Sequence, residues 1–491
     1  MTYSAETADL YVDGRWRTSA GGERFAVTSP ATGAHLWDLA AASAADVDAA
    51  VVSARTAFVR HQGVSPYERA AWCERIASEL EDRGETMAQA ISLEQGKPLA
   101  DARGEVSLAA EGFRLAAQEA RVLRGETIPV HDMRKRVMTI RRPCGVYAVI
   151  TPWNFPLNIP VEYLGPAIAS GNAVVWKPAP TTAGVAVLLM RCVEAAGVPI
   201  GLVNLLTGSK PDLGRQLVSH PGVMGIGFTG SSTVGGEIAR TAYDKRKILE
   251  LGGNGPLIVL RDADVAAAAE AAASAAYWNA GQSCAAAGRI LCEADVYDEF
   301  VAALADEAAR VVVGSPLDQE TTMGPCHTSA IRDRTQDHIE DAVLRGGTLV
   351  YGAGPVPDAA TDLYRLPALI ADVPRDARVN IEETFGPVAA VIRVDGDEDI
   401  LTVASCSRLG LSAAVFSANF PRAIRLAERL DAGQVVLNDS SNYWELHMPF
   451  GGWPGMDSGT GRLGVRETML SMTEIQTISL HLGPDTSSAN P

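Results

Sequence analysis

Hydrophobic and polar residues alternate along this chain with two different periods. Between residues 46 and 121, apolar residues recur every three or four positions, which is the period of amphipathic helices. The pattern predicts four packing helices, at 46–62, 67–83, 85–93 and 104–121. Before them, Asp13-Gly14 between apolar residues predicts a β-hairpin in a segment rich in turns.

From Gly145 onward, short apolar runs of strand character alternate with helical patterns. Strands are predicted at 146–150, 173–176, 202–206, 223–228 and 247–251, and helices at 160–170, 182–196, 212–219 and after Ser231. This alternation predicts a doubly wound parallel sheet, which binds ligands at the carboxyl ends of its strands. A second α/β unit follows, with strand candidates at 256–260, 289–293, 348–351, 389–393, 413–416 and 434–438.

The chain of 491 residues is too long for one simple core, so two or three domains are expected. Residues 122–142 have strand-like character and are polar on one face, as is the closing segment at 474–482. We therefore predict one α/β domain from residues 1–121 and 143–251, a second from 252–470, and a small β arm from 122–142 and 471–484.

Charge and cysteine usage narrow the class of partner and the compartment. The net charge of −17 argues against nucleic acid or an anionic membrane as a partner, because phosphate groups would be repelled. Seven scattered cysteines without a CxxC pair argue against a metal site or a disulfide framework and for a reducing compartment. Without a secretory signal at residues 1–10 or a membrane-spanning apolar run, we expect a cytoplasmic protein.

Cys284 is the first candidate for chemistry. It lies in the segment Asn-Ala-Gly-Gln-Ser-Cys-Ala-Ala-Ala-Gly-Arg, between an alanine-rich helical pattern and an apolar strand-like run. Gly281 indicates a turn, where a thiol can point into a cleft with its own backbone N–H beside it. A single cysteine in a large protein is most often a small buried hydrophobe, which is the alternative interpretation.

An amide and a carboxyl group are further candidates. Asn154, in Thr-Pro-Trp-Asn-Phe-Pro, follows the first parallel strand, where a neutral N–H donor would stabilise an oxyanion by roughly 3 kcal/mol. Glu250 ends a strand in an apolar run, so burial would raise its pKa and suit a general base. The alternatives are a turn asparagine between two prolines and a solvent-facing glutamate. Gly252 and Gly253 weaken the second alternative, because they leave room for a cofactor or backbone.

Three segments contain residues suited to a nucleotide. Lys177, at the end of the second strand, can hydrogen-bond ribose hydroxyls or be an ordinary surface lysine. The segment Phe-Thr-Gly-Ser-Ser-Thr-Val-Gly at 228–235 is a strand end, a turn and a helix start, whose backbone N–H groups suit a pyrophosphate. Such turns are also common in loops. Glu383 and Phe385, in Glu-Glu-Thr-Phe-Gly-Pro, offer a carboxylate and an aromatic face, or form an acidic turn.

Together these segments resemble the aldehyde dehydrogenase superfamily. The motifs TPWNFP, FTGSSTVG, LELGG, GQSC and EETFGP are jointly very specific, and the likeness extends from about residue 11 to residue 482. The resemblance implies a dinucleotide-binding first domain, a catalytic second domain, and a β arm that builds the interface of a homodimer or homotetramer. It also implies NAD or NADP as cofactor and a small-molecule aldehyde as substrate.

The same resemblance implies a role for each candidate residue. Cys284 would attack the aldehyde to form a thiohemiacetal and then a thioester, Asn154 would help to hold the oxyanion, and Glu250 would activate the water that releases the acid. The implied cofactor-binding residues are Ile150, Thr151, Trp153, Lys177, Gly208, Phe228, Thr229, Gly230, Ser231, Val234, Leu251, Gly252, Glu383 and Phe385.

The choice between NAD and NADP stays open at the sequence level. Pro180 stands where many NAD-using members of the family carry a glutamate three residues after the lysine. The missing carboxylate removes a repulsion against a 2′-phosphate, and Lys210 would add an attraction.

The sequence indicates two different substrates. Residues 95–105 are similar to the succinate-semialdehyde branch of the family. Glu162, however, stands where that branch offers an arginine to the substrate carboxylate, so it would favour a hydroxylated or amine-bearing aldehyde unless it lies on the helix surface. The loop 439–448 is the expected specificity lid, and its aromatic residues would suit a ring-bearing substrate. The expected substrate-contacting residues are Glu162, Ser283, Tyr443, Trp444 and His447.

Two other functional classes remain as alternatives. A CoA-acylating semialdehyde dehydrogenase would make a thioester product, and that branch characteristically lacks the glutamate found here at Glu250. A non-catalytic nucleotide-binding protein would not need Cys284, Glu250 and Asn154 together.

Overall fold

A computed structural model of the protein describes residues 6–483. Its strands, in chain order, are β1 (Glu6–Ala8), β2 (Leu10–Val12), β3 (Arg15–Arg17), β4 (Arg24–Thr28), β5 (His35–Ala40), β6 (Thr127–Ile128), β7 (Lys135–Pro143), β8 (Val146–Ile150), β9 (Ala173–Lys177), β10 (Val203–Leu205), β11 (Gly225–Thr229), β12 (Arg246–Glu250), β13 (Pro256–Val259), β14 (Arg289–Glu293), β15 (Thr348–Tyr351), β16 (Ala368–Ala371), β17 (Val388–Val394), β18 (Ser412–Phe416), β19 (Gln434–Leu437), β20 (Gly459–Thr460) and β21 (Thr473–His481).

The helices pack around these strands and connect them. They are α1 (Ala44–Arg60), α2 (Pro66–Asp82), α3 (Gly84–Gln95), α4 (Leu99–Val122), α5 (Asn158–Ser170), α6 (Ala183–Ala195), α7 (Pro211–Ser219), α8 (Ser232–Thr241), α9 (Val265–Tyr277), α10 (Tyr297–Ala309), α11 (Ser329–Leu344), α12 (Arg378–Ile381), α13 (Gly396–Ala404), α14 (Phe420–Ala427) and α15 (Val465–Ser471), with 3-10 turns at Pro180–Thr182 and Trp278–Gly281.

The first sheet has eight strands in the order β20-β12-β11-β8-β9-β10-β2-β3. The five strands from β12 to β10 are parallel, while β20 and the hairpin β2–β3 are antiparallel additions at the two edges. The hairpin turns at Asp13 and Gly14, both with positive φ, as two-residue hairpin turns require. The predicted hairpin and doubly wound parallel sheet are therefore confirmed.

The second sheet has seven strands in the order β15-β16-β17-β14-β13-β18-β19. Only β15 runs antiparallel to its neighbour. Alternate residues of β13 face two different cores: Leu257 and Val259 face one, and Ile258 faces the other. Because both faces of this parallel sheet are covered, each strand appears in the sequence as a continuous apolar run, which made the strands predictable. The predicted α/β fold class is confirmed.

Strands β6, β7 and β21 form a separate sheet in the order β21-β7-β6. The closing strand pairs with β7 over nine residues, from Thr473 opposite Pro143 to His481 opposite Lys135. A further small sheet has the order β1-β5-β4. The predicted domain boundaries stay a proposal, and residues 1–5 and 484 of those ranges lie outside the described residues. The chain returns to the first unit before 470, because β20 pairs with β12 and Val465 and Met469 of α15 join the first core.

None of the helices within residues 6–483 combines the length and the apolar character needed to cross a membrane.

Candidate active site

Cys284 lies on the loop between α9 and β14, where the backbone is tightly constrained. Asn279, Ala280 and Gly281 all have positive φ, between 51° and 68°. A Cβ at Gly281 would lie 2.1 Å from the carbonyl oxygen of Gly386, so this position accepts only glycine. The thiol is half-buried, and the loop presents it to a cavity.

The two glycines after β12 allow a close approach of three chain segments. A Cβ at Gly253 would lie 1.9 Å from the backbone oxygen of Cys284, and one at Gly252 would lie 2.9 Å from Glu383 Oε2. The N–H of Gly253 donates to Glu383 Oε1 at 2.8 Å. The Leu-Gly-Gly segment thus brings the ends of the two sheets together at the nucleophile.

Glu250 and Cys284 are neighbours whose proton affinities are coupled. Burial raises the pKa of Glu250 to about 8, and the hydrogen-bonding thiol of Cys284 opposes that rise. Burial, followed by the negative charge of Glu250, holds the pKa of the Cys284 thiol well above its usual range. Glu250 Oε1 is buried without a hydrogen-bond partner among residues 6–483. A carboxyl group with a spare oxygen beside a thiol is suited to accept a proton from it or from a water.

Asn154 lies beside the backbone of the nucleophile loop but does not line the cavity. Its side-chain amide donates to the carbonyl of Gln282 at 3.1 Å, and its own carbonyl accepts from Asn279 Nδ2 at 3.3 Å. An amide carries two N–H groups, so one remains for a substrate oxygen. Asn154 is 4% exposed, which keeps its orientation fixed.

A buried ion pair, which was not predicted from the sequence, holds the backbone of Asn154 and the start of α5 in place. Lys97 Nζ donates to Glu105 at 2.6 Å and to the carbonyl of Asn154 at 2.9 Å. The other carboxyl oxygen of Glu105 accepts from the N–H groups of Leu157 and Asn158, at the start of α5. The pair therefore fixes both the asparagine and the helix that follows it. The segment 95–105 contains both residues, but their pairing depends on the turn between α3 and α4.

A cavity of about 280 Å³ opens at Cys284 and is also lined by Glu250, Glu162 and Ser283. Glu162 is 5% exposed, so it faces this cavity and not the helix surface. Ser283 Oγ donates to Asn442 Oδ1 at 3.0 Å, which ties the nucleophile loop to the segment 439–448. The remaining lining includes Asp101, Phe155, Trp278, Trp444 and Phe450.

Only part of the predicted lid reaches the cavity. Trp444 lines it, with its ring 6.1 Å from that of Phe450. Tyr443 and His447 are exposed and do not line it; both interact with Glu445 instead. Phe155 follows Asn154 in the TPWNFP motif and Trp278 directly precedes the segment of Cys284, but the sequence did not show that their rings form walls of the cavity.

The predicted cofactor residues gather at the carboxyl edge of the first sheet. Register places Ile150 opposite Lys177 and Thr229 opposite Glu250, so four neighbouring strands end together. The other predicted residues lie in or just after these strand ends, after β10, or at the start of α8: Thr151, Trp153, Gly208, Phe228, Gly230, Ser231, Val234, Leu251 and Gly252. A Cβ at Gly230 would lie 2.6 Å from the Phe228 ring, and Ser231 Oγ accepts from the Val234 N–H. The open N-terminus of α8 suits a pyrophosphate.

Residues from the second α/β unit complete this edge. The ring of Phe385 lies 5.7 Å from that of Trp153, edge to face, and Trp153 stacks on His327 at 4.2 Å. Burial raises the pKa of Glu383 to about 7 and lowers the pKa of Lys177 to about 8. Lys177 Nζ bonds only to the carbonyl of Pro178 among residues 6–483. An ammonium group and a carboxyl group with spare bonding capacity at one edge fit the hydroxyls of a dinucleotide.

Lys210 is not an unpaired cation within the described residues. It is exposed, lies just before α7, and forms an ion pair with Glu23. Pro180 begins a 3-10 turn and leaves no carboxylate at that position. The carboxyl edge of the first sheet therefore has no carboxylate at position 180, and within residues 6–483 the Lys210 ammonium group is already paired.

Comparisons with known proteins agree with this geometry. Residues 16–478 match the aldehyde dehydrogenase family. The chain is 36% identical to glutarate-semialdehyde dehydrogenase of Pseudomonas aeruginosa over 472 residues, 96% of this chain and 97% of that protein. It is 36% identical to the NADP(+) succinate-semialdehyde dehydrogenase of Escherichia coli, over 96% and 97% of the two chains. A crystal structure of an NAD-dependent aldehyde dehydrogenase from Sinorhizobium meliloti has a TM-score of 0.94 at 33% identity, covering 99% of this chain and 97% of that one.

Proposed function

This chain belongs to the aldehyde dehydrogenase family, and from that premise we propose that it oxidises an aldehyde to a carboxylic acid through a thioester on Cys284. It is an NAD(P)-dependent enzyme. The observation that carries the proposal is the placement of the Cys284 thiol beside the Glu250 carboxyl group in one cavity, next to the carboxyl edge of the first sheet.

In the proposed mechanism, the sulfur of Cys284 attacks the aldehyde carbon and the thiol proton passes to Glu250. The free N–H of Asn154 and the backbone N–H of Cys284 hold the resulting oxyanion. The chemistry that bound NAD(P)⁺ supplies is hydride acceptance, which leaves a thioester on Cys284. Glu250, once deprotonated, takes a proton from water as that water attacks the thioester, and the acid is released.

Residues at the carboxyl edge would hold the cofactor. Lys177 and Glu383 would bind ribose hydroxyls, the N-terminus of α8 would bind the pyrophosphate, and Phe385 would contact the nicotinamide. The absence of an acidic side chain at Pro180 is compatible with NAD and with NADP, so we propose that the enzyme uses one or both.

We propose a small polar, hydroxylated or aromatic aldehyde as substrate, because Glu162 and aromatic rings line the cavity. Succinate semialdehyde is a second candidate, supported by the activity for which the Escherichia coli relative is named. The presence of Glu250 in the cavity supports hydrolysis of the thioester over its transfer to CoA.

The proposal is tested by mixing the protein with a panel of aldehydes and with NAD⁺ or NADP⁺, and by following absorbance of the reduced nicotinamide. We expect turnover by the wild type and by Cys406→Ala, which removes an exposed cysteine away from the cavity. Cys284→Ala should lose turnover and retain nucleotide binding. Substantial oxidation by Cys284→Ala, or none by the wild type with any aldehyde, would refute the proposal.

A further inference from the structure

The charged groups that line the cavity are all acidic among residues 6–483. They are Asp101, Glu105, Glu162 and Glu250. The charge of Glu105 is met by Lys97 at 2.6 Å, and Glu250 is assigned to catalysis. Asp101 and Glu162 remain, and neither forms an ion pair within the described chain. A cavity of one sign attracts ligands of the opposite sign.

Glu162 has no bonding partner that explains its burial. It lies on α5, is 5% exposed, and makes no hydrogen bond within residues 6–483. Burial, followed by the charge of Glu250, raises the pKa of Glu162 well above its usual range. A buried carboxyl group without a partner costs free energy, and a cation beside it would restore its charged form. An anion would instead be repelled by Glu250 whenever that carboxyl group is ionised.

Aromatic rings line the same cavity and are chemically suited to a cation. Phe155 and Trp278 lie with ring centroids 5.2 Å apart, and Trp444 and Phe450 form a second pair. Phe155 already has a cation on its ring, because Lys97 Nζ lies 4.0 Å from its centroid. Ammonium groups are attracted to aromatic faces, most strongly to tryptophan.

We propose that the substrate is an amino-aldehyde, whose ammonium group is bound by Glu162 with Asp101 and the aromatic walls while its aldehyde carbon meets Cys284. The inference rests on the proposed function and narrows its substrate class. It separates this chain from relatives named for glutarate and succinate semialdehydes, which carry a carboxylate in place of the ammonium.

The test compares three aldehydes of nearly equal size: 3-aminopropanal, 3-hydroxypropanal and freshly prepared 3-oxopropanoate. We expect kcat/KM for 3-aminopropanal to exceed that for 3-hydroxypropanal by at least about tenfold and that for 3-oxopropanoate by at least about 100-fold. Ratios of this size require only modest differences in binding free energy. Glu162→Gln should lower the amino-to-hydroxy ratio by about tenfold. Glu111→Gln, on the exposed face of α4, should leave the ratio unchanged. Equal kcat/KM values, a preference for 3-oxopropanoate, or an unchanged ratio in Glu162→Gln would overturn the inference.

A binding measurement separates this inference from the proposed chemistry. Calorimetry on Cys284→Ala would compare propylammonium, propanol and propanoate, none of which can react. We expect propylammonium to bind at least about tenfold more tightly than propanoate, and Glu162→Gln in the same background to remove the difference. If propylammonium binds in this way but no aldehyde is oxidised, the proposed function fails and the inference stands. If aldehydes are oxidised but propanoate binds as tightly, the inference alone fails.

Discussion

In the proposed mechanism, Glu250 and Cys284 both lose a proton, yet burial favours the protonated form of each. In that mechanism the first proton to leave is the thiol proton, and Glu250 is the adjacent acceptor. Glu250 must then return that proton to solvent before it can accept another from water. The reaction is therefore expected to depend on pH through the proton affinity of a single carboxyl group.

We predict that the rate of thioester hydrolysis rises as pH increases through about 8, the value to which burial raises the pKa of Glu250. The sign follows because a general base acts only when deprotonated, and a raised pKa moves that form to higher pH. Steady-state rates across pH, compared with the first turnover in stopped flow, would measure it. In Glu250→Gln the pH-dependent rise of the hydrolysis step should disappear; a flat profile in the wild type would contradict the assignment.

Asn154 is predicted to act on the transition state and not on substrate affinity. Asn154→Ala should lower kcat by on the order of 10²–10³-fold, because it removes the N–H that we propose holds the oxyanion. KM should change little. Nucleotide binding, followed by fluorescence, should be retained and would show that the variant folds. An unchanged kcat would mean that both N–H groups serve only the backbone of the nucleophile loop.

The sequence predicted those residues of the candidate site that lie in short, recognisable motifs. Cys284, Asn154 and Glu250 each lie in a recognisable motif, and the structure gathers all three around one loop. Lys97 was not connected with the site, because it reaches Asn154 through a contact between distant segments. Trp278 and Asn442 lie in or beside predicted site segments, but the sequence did not show that their side chains line the cavity. The orientation of Glu162 was equally undetermined, since its helix α5 is buried on every side.

At the scale of elements, the start of α5 depends on the Lys97–Glu105 ion pair, which hydrogen-bonds to the backbone of the TPWNFP segment and of the residues that begin α5. Lys97→Met should reduce the free energy of unfolding by about 3–5 kcal/mol, because it leaves Glu105 buried without a counter-charge. It should also lower kcat, since Lys97 holds the carbonyl of Asn154. Urea unfolding measures the first effect. Arg103→Met, which breaks the exposed pair between Arg103 of α4 and Glu85 of α3, should cause a much smaller change. Equal losses in both variants would contradict the structural role given to Lys97.

The junction after β12 offers a second prediction. Gly253→Ala should abolish activity or prevent folding, because the new Cβ would meet the backbone oxygen of Cys284 at 1.9 Å and backbone cannot give way cheaply. Gly236→Ala, inside α8, meets only the flexible Arg240 side chain at 3.5 Å and should stabilise the helix by up to about 1 kcal/mol. Activity and thermal unfolding of the two variants check this, and an active, stable Gly253→Ala would show that the segments are farther apart.

The elements found from sequence were those with a clear period. The parallel strands read as apolar runs because both of their faces are covered, and α9 reads as a helix because alanine favours it. Strand β16 was missed because its run Ala-Leu-Ile-Ala contains two alanines and a leucine, which favour helices, and only one β-branched residue. Strand β20, two residues long, pairs with β12 through tertiary placement alone.

At the scale of the whole molecule, the three-stranded arm leaves apolar side chains uncovered. Register places Ile140 opposite Gln476 and Leu480 opposite Arg136, so Ile140 and Leu480 share one face, with exposures of 37% and 43%. A three-stranded sheet of this kind needs a partner to cover its apolar residues and its edge strand. We therefore propose that the arm joins copies of this chain into a homodimer or homotetramer.

The double variant Ile140→Glu/Leu480→Glu is predicted to shift the protein to a smaller assembly, because charges would be buried at the interface. Sedimentation velocity would measure the change in mass. Leu344→Glu, at a position 86% exposed outside the arm, should leave the mass unchanged. A wild-type protein that sediments as a monomer would refute the proposed assembly.

The most direct test of the account is a search for the covalent intermediate in Glu250→Gln. The variant would be mixed with an aldehyde substrate and the oxidised cofactor, quenched in acid, and analysed by intact and peptide mass spectrometry. We predict a mass increase equal to one acyl group, located on the peptide that contains Cys284. Removing the charge of Glu250 lowers the pKa of the Cys284 thiol, so the thiol can lose its proton to solvent and attack, while hydrolysis lacks its base. Turnover at the wild-type rate without any adduct, or an acyl group on another cysteine, would contradict the central claim.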